Sequence, residues 1–385
     1  METIKFTFDL SEYFNFDNIK NDEYIQEKHI TKYTNKETNF SILKYVKSAL
    51  NDSNISTLGL FRSLVVKDEE ILSVSPFKSI DFNTLTNMED ITEKQFTVSE
   101  FIEGTMVNVF YTGDDWELST RSLIGGRGRF FKNTALTFRK MFIECMNETN
   151  LEFDDLNKDY SYSFVIQHPD NKLVKNVFEP TLYLCSVFKI DGTKVNVIDF
   201  IKDKIILDKV KYPTLYECNT FEDVREKCID LGKSDYEFQG LVIECGNYRS
   251  KLRNPKYEYV RVLRGNNTKI QYHYLELVRT NRVDEFLRYF PDFEEQFTKF
   301  RIQLSELYEK LHSDYVKCFA MKKQPLQEFD FEYRPHMIEL HKLYKDRLSP
   351  TGNIVTSNVV VEYINNLPIE RLMFVLNFKL RPVKK

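Results

Sequence analysis

Apolar and polar residues alternate most clearly over 99–124. Met106, Val107, Val109, Phe110 and Tyr111 make a β-rich run, Gly113-Asp114-Asp115 a turn, and 116–121 alternates back. That pattern predicts a strand, a tight turn and a second strand. Glu103-Gly104 stands at the mouth of the hairpin, where a glycine suits close approach of a phosphate-bearing ligand to backbone. Upstream, 61–66 and 71–74 read as two strands joined by a charged turn, and 39–50 as a helix. Helical spacing recurs over 133–147 and 221–231. Between these, YSYSFVIQHPDNKLV is a strand running into a Pro-Asp-Asn turn, and TLYLCSVFKI is almost wholly apolar, as expected of a central buried strand. FQGLVIECG and SKLRNPKYEYVRVLRGN predict a strand pair with a basic return limb. Beyond about residue 270 the spacing becomes helical, punctuated by Pro291, Pro325, Pro335, Pro350 and Pro368. The fold class expected is α+β: an antiparallel-sheet domain followed by an all-helical C-terminal domain.

A chain of 385 residues has room for two or three cores. The boundaries read as an N-terminal segment 1–57, a sheet domain 58–268 and a helical domain 269–385. With 54 basic and 58 acidic residues, the net charge of −4 provides no global basic field, so any nucleic-acid surface has to be local. Many aromatic residues (22 Tyr, 32 Phe) with few Gly and Pro describe a packed protein. Six cysteines without CxxC spacing read as free thiols in a reducing compartment. The N-terminus lacks a signal-peptide core and no apolar run is long enough for a membrane span. A soluble, cytoplasmic protein without a membrane partner is expected.

Three clusters are candidates for chemistry. Gly125, Gly126 and Gly128, interleaved with Arg127 and Arg129, form a locally basic loop that suits a phosphate or a solvated turn. Lys251 and Arg253 alternate and so share one face of a strand. Opposite the hairpin's glycine mouth they point two cations into one cleft; on a solvated edge strand they point into water. His336 and His341 are five apart, which does not suit the one-face pair of a zincin, and no metal site is expected. Tyr308, Tyr315 and Phe319 form an aromatic stripe read as core.

Taken in order, FIEGTMVNVFY, WELSTRS, YSFVIQHPDNKLV, LYLCSVFKI, FQGLVIE and SKLRNPKYEYVRVLRGN resemble the successive motifs of covalent nucleotidyltransferases. The match lies with the RNA ligase family typified by the phage tRNA-repair ligase, together with ligase-like proteins of large DNA viruses. It covers roughly 58–267. LFRSLVVKDEEILSVSPFKS resembles the segment before the nucleotidyl lysine, and the helical tail stands in the place of that ligase's C-terminal domain. The resemblance implies an antiparallel-sheet nucleotidyltransferase (ATP-grasp-like ligase) domain, ATP with Mg2+ or Mn2+, and an RNA substrate. It also implies a lysine in a K-x-D-G motif that attacks the α-phosphate of ATP, with carboxylates on two strands that organise metal and ribose, and a viral source in host cytoplasm.

The departures fall on the charged positions. Aligning Glu103-Gly104 with D-G puts Phe101 at the lysine; aligning Pro169 and Asn171 with P-x-N puts Val165 at one carboxylate; Gln239-Gly240 replaces E-G by a neutral amide. What persists toward nucleotide and phosphate is Glu103, Gly104, Arg121, Gln239, Lys251 and Arg253. The expectation is a ligase-fold protein without standard lysyl-adenylate chemistry, binding a nucleotide, an RNA end or a protein partner in the cleft. Lys78 or Lys94 is the substitute nucleophile if the chain is an active ATP-dependent RNA ligase with a relocated lysine. A structural or assembly subunit with a vestigial cleft is the third alternative.

Overall fold

In the computed structural model, residues 3–88, 91, 96–132, 136–200 and 208–380 are described. The chain divides into two units, Met1–Arg264 and Gly265–Lys385.

The first unit is built on antiparallel sheets. Its central strand β9 (Tyr160–Gln167) is buried at every position. It pairs with β10 (Thr181–Asp191), the apolar run expected to lie inside a sheet. The six-stranded sheet continues through β11 (Lys194–Ile198) to β1 (Ile4–Asp9) on one side. On the other side β7 (Thr105–Tyr111) and β8 (Trp116–Ser119) form the expected hairpin. The helix Phe138–Thr149 lays Met141, Phe142 and Cys145 against β9 and β10, with the Phe142 and Phe164 rings 5.7 Å apart.

A second sheet has the order β2 (Ile30–Thr34), β3 (Phe40–Tyr45), β4 (Leu64–Lys67), β5 (Glu70–Ser73). Here the helix expected over 39–50 is overturned, because its apolar run forms β3. The strand is buried on both faces: Phe40 and Ile42 meet Phe110 and Ile124, while Leu43 joins Phe61, Leu64 and Val66 on the other side. A short, mostly apolar run such as this, broken only by Ser41 and Lys44, cannot be told from a buried helix by periodicity alone. The segment 1–57 thus supplies β1, β2 and β3, paired with β11 and β4.

The third sheet has the order β12 (Leu215–Tyr216), β6 (Thr97–Glu100), β13 (Gly240–Cys245), β14 (Tyr248–Arg253). Val98, Leu241, Ile243 and Cys245 form its core face, with Phe82 and Leu85 from one helix and Val224 and Cys228 from the helix Phe221–Ser234. The stretch 99–124 is therefore not one unit. Ser99 and Glu100 belong to this sheet, the hairpin belongs to the six-stranded one, and 101–104 crosses between them. The return limb also differs from expectation, since after Arg253 the chain turns into the helix Pro255–Arg264. Proline suits the first helical position, and buried Asn254 pins the entry by donating to the Asp235 and Phe238 carbonyls and accepting from the Lys256 amide. Tyr257, Val260 and Leu263 form its buried stripe; their strand propensity gives way to three-residue spacing.

Described by itself, the second unit is helical, with no strand among its described residues. Its longest helix, Glu294–Tyr315, buries Leu304, Leu307 and Leu311. A cluster of phenylalanine rings, Phe286, Phe290, Phe293 and Phe297, packs at its start. Tyr315 is buried here, and Phe319 stacks on His341 at 4.0 Å. No helix of the described residues is long and apolar enough to cross a membrane.

Candidate functional site

Strand pairing decides which side chains of the third sheet point together. Ser99 stands opposite Val242, and Val242 opposite Lys251; Glu244 stands opposite Arg249, and Gly240 opposite Arg253. Phe101 continues β6 by donating its amide to the Gly240 carbonyl at 2.9 Å. Opposed residues share a face, so Phe101, Val242, Glu244, Arg249, Lys251 and Arg253 all lie on the side away from the core. A cleft of about 220 Å³ lies against this face, closed from the six-stranded sheet by Met106, Val165 and Cys185 and from the turn before β4 by Arg62.

Three basic side chains, Arg62, Arg249 and Lys251, and three carboxylates, Glu100, Glu103 and Glu244, line the wall. Arg249 is buried, donating to Glu244 at 3.2 Å and to the Ser79 hydroxyl at 3.0 Å. The pKa of Arg62 is drawn down to about 10, first by burial and then by Arg249. Lys251 places its ammonium nitrogen 3.8 Å from the centroid of the Phe101 ring. Among the described residues no carboxylate pairs with it. Burial first, then Arg249, Arg62 and Arg253, pull the pKa of this lysine down to about 5. The ring favours the charged form by only about 0.5–2 kcal/mol, whereas each tenfold change in a protonation equilibrium is worth about 1.4 kcal/mol. Desolvation and like charge therefore win, and the amine is neutral near pH 7. Arg253 also lies over Phe101, at 5.9 Å, and is 3.8 Å from Glu258.

The other residues singled out from the sequence are placed as follows. Glu103 is buried, and its carboxylate accepts from the Leu173, Val174 and Lys175 amides at 2.8–3.2 Å. Its oxygens thus anchor a loop. Gly104, at φ +146°, is required by protein backbone: an added Cβ would lie 2.2 Å from the Ile166 carbonyl oxygen. The close approach read there as room for a phosphate belongs to β9. Val165 does line the cleft, and Gln239 lines it with a buried Oε1 that has no hydrogen-bond partner. Arg121 is exposed and donates to the Tyr45 hydroxyl at 3.2 Å, outside the lining of this cleft. Lys78 donates to the Ser79 carbonyl at 2.6 Å, and burial followed by Arg62 and Arg121 lowers its pKa. Lys94 falls outside the described residues. In the glycine-arginine loop, Arg127 pairs with Glu37 at 2.7 Å on the surface.

Two cleft cations went unread. Arg249 could have been found by extending the Lys251, Arg253 alternation back two residues. Arg62 carries no such signal, since it lies in a turn.

Arg62 and Arg249 are the guanidinium donors that this wall offers a phosphate. A divalent metal does not fit the carboxylates beside it: Glu103 is held by amides, Glu244 by Arg249, and Glu100 accepts from Thr214 at 3.1 Å. No group of three metal-ligating residues occurs among the described residues. His336 is buried against the Tyr363 hydroxyl at 2.8 Å, and burial lowers its pKa to about 4. All six cysteines are free.

No protein-family model matches the chain. Of curated proteins, an RNA ligase of Rhodothermus phage RM378 is 26% identical over 284 residues, 63% of this chain and 64% of that one. The chain thus spans just under two thirds of that relative's length. Similar solved structures include a Naegleria gruberi RNA ligase variant with ATP and Mn, at TM-score 0.37 and 14% identity, covering 62% of this chain and 82% of that one. A protein of Aquifex aeolicus assigned as an ATP-dependent DNA ligase has TM-score 0.42 at 14% identity, covering 76% of this chain and 80% of that one. The resemblance to the RNA ligases carried by the order of motifs is therefore matched by sequence similarity to one of them over 63% of the chain.

Proposed function

We propose that the cleft binds a nucleotide or a 5′-phosphorylated RNA end by its phosphates, in a ligase-fold protein without a nucleophile at position 101. The observation that supports this reading is the common face of the third sheet. Phe101 stands where the motif order puts the lysine, and Lys251, Arg253 and Arg249 line the same face around it. Arg62 and Arg249 bring guanidinium donors to the cleft, and such groups favour an anionic ligand. Gln239 Oε1 adds a buried acceptor for a donor group of the ligand.

Titration of 5′-phosphorylated and 5′-hydroxyl RNA, and of ATP, against the parent and the double variant Lys251→Ala, Arg253→Ala is the test. The reading expects at least tenfold weaker binding of phosphorylated ligands by the variant, and RNA affinity that falls steeply with salt. Equal binding by parent and variant removes these residues from the site. Absence of ATP and RNA binding in the parent leaves the assembly-subunit alternative.

A further inference from the structure

We propose that the phosphate of the cleft's ligand is held by Arg62 and Arg249 without a divalent cation, the two guanidinium groups taking the place a metal would fill. This rests on the reading of the cleft as a phosphate site and adds what neutralises the phosphate there.

The two arginines meet at the cleft with donors to spare. Arg62, in the turn before β4, is mostly buried, and its hydrogen bond among the described residues runs from Nη1 to the Pro76 carbonyl at 3.4 Å. Among those residues no carboxylate pairs with it. Arg249 uses Nε on Glu244, at 3.2 Å, and Nη1 on the Ser79 hydroxyl, at 3.0 Å, which leaves Nη2. A guanidinium carries five N–H donors in a fixed fork, so both side chains can still donate. Arg249 is near enough to disfavour the charge of Arg62. A phosphate between them relieves that repulsion through charge-assisted hydrogen bonds, whereas a dication set there adds to it.

The acidic residues of the wall do not offset this. Mg2+ in phosphate sites is held through one or two carboxylates plus phosphate oxygens, and each carboxylate here already has a partner in the protein. Both oxygens of Glu103 accept from the amides of 173–175. Glu100 stands opposite Leu241 of the core face, and its carboxylate accepts from the Thr214 hydroxyl at 3.1 Å. Glu244 is the ion-pair partner of buried Arg249. A metal that took Glu244 would leave that guanidinium buried and unpaired, which is strongly unfavourable. Gln239 Oε1 has no partner, but it brings no charge to a metal.

The full chain is titrated calorimetrically with ATP and with a 5′-phosphorylated oligoribonucleotide, in EDTA and in excess Mg2+ or Mn2+. Ionic strength is held constant, because salt screens charge contacts. Binding of both ligands in EDTA at least as tight as in either metal is expected, with at least tenfold weaker binding in EDTA by Arg62→Gln. Mn2+ titrated against the unliganded protein and followed by electron spin resonance should stay free. Binding at least tenfold tighter with metal than in EDTA overturns the proposal, and so does Mn2+ retained by the parent but released by Glu244→Gln. Equal binding by parent and Arg62→Gln in EDTA removes the arginine and overturns it too. If Arg62→Gln does not fold, the comparison of EDTA with metal on the parent decides alone. Absence of binding by both ligands under every condition is a different result: it removes the phosphate site itself, and the metal-free mode falls with it.

Discussion

Lys251 ties the chemistry of the cleft to the stability of the fold. An ordinary lysine titrates near 10.4 in the unfolded chain, but here burial and three arginines bring it down to about 5. Between those two values the unfolded state binds a proton that the folded state does not, so stability rises with pH. Below about pH 5 both states are charged and the penalty is constant; above about pH 10.4 both are neutral and it vanishes. Lys251→Met removes the titration and sets a polarisable apolar chain against Phe101. It should raise unfolding stability near pH 7 by about 0.5–2 kcal/mol and flatten the parent's rise in stability between pH 6 and 9. Chemical denaturation of both proteins across that range checks the sign, and a parallel pair of curves would show that Lys251 stays charged. Glu103 makes the opposite case, a charge the fold uses. Glu103→Gln keeps the shape but leaves the three amides at 173–175 to share one neutral carbonyl, and a loss of about 1–3 kcal/mol is expected. The same denaturation experiment reads it, and unchanged stability would mean that the loop does not need the carboxylate.

At the scale of elements, the crossing 101–104 joins two sheets and sets the position of Phe101. Gly104 makes it feasible, since its backbone passes so close to β9 that a Cβ would meet the Ile166 carbonyl. Gly104→Ala should cost about 1–3 kcal/mol from the backbone conformation alone and should displace Phe101 from Lys251. A loss of both stability and nucleotide binding is the expected result; loss of neither would show that the crossing relaxes freely. What the sequence made legible here was local. The hairpin of β7 and β8 was announced by its turn residues, β13 and β14 by alternation, and the helix Phe221–Ser234 by its apolar spacing. The elements misread, β3 and the helix Pro255–Arg264, are those whose burial on both faces or β-branched residues made period ambiguous. The cleft was only half legible for a related reason. Lys251 follows from strand geometry, whereas Arg253, on the same strand face, lies outside the lining of the cleft, and the partners of Glu103 lie 70 to 72 residues away. Arg62 reaches the cleft by a turn that carries no periodicity.

For the whole molecule, a net charge of −4 says nothing of the basic residues gathered at the cleft, Arg62, Arg249 and Lys251, because averages of composition do not report local placement. The second unit presents no comparable assignment, and the functional reading attaches to Met1–Arg264. A ligand that binds only the folded cleft stabilises it by mass action, by about 2.7 kcal/mol at a hundredfold excess over Kd. That energy enters through β6, β13, β14 and the crossing, so these segments should lose the most amide exchange. Hydrogen exchange of the full chain with and without ATP should therefore show added protection over 97–104 and 240–253, with the helix Glu294–Tyr315 unchanged. Protection should weaken in Arg62→Ala, because Arg62 brings charge to the cleft from outside the third sheet. Because exchange is read segment by segment, the result does not depend on whether the two units unfold together. Protection confined to the second unit would move the nucleotide site out of the sheet cleft and leave its cations without the ligand assigned to them.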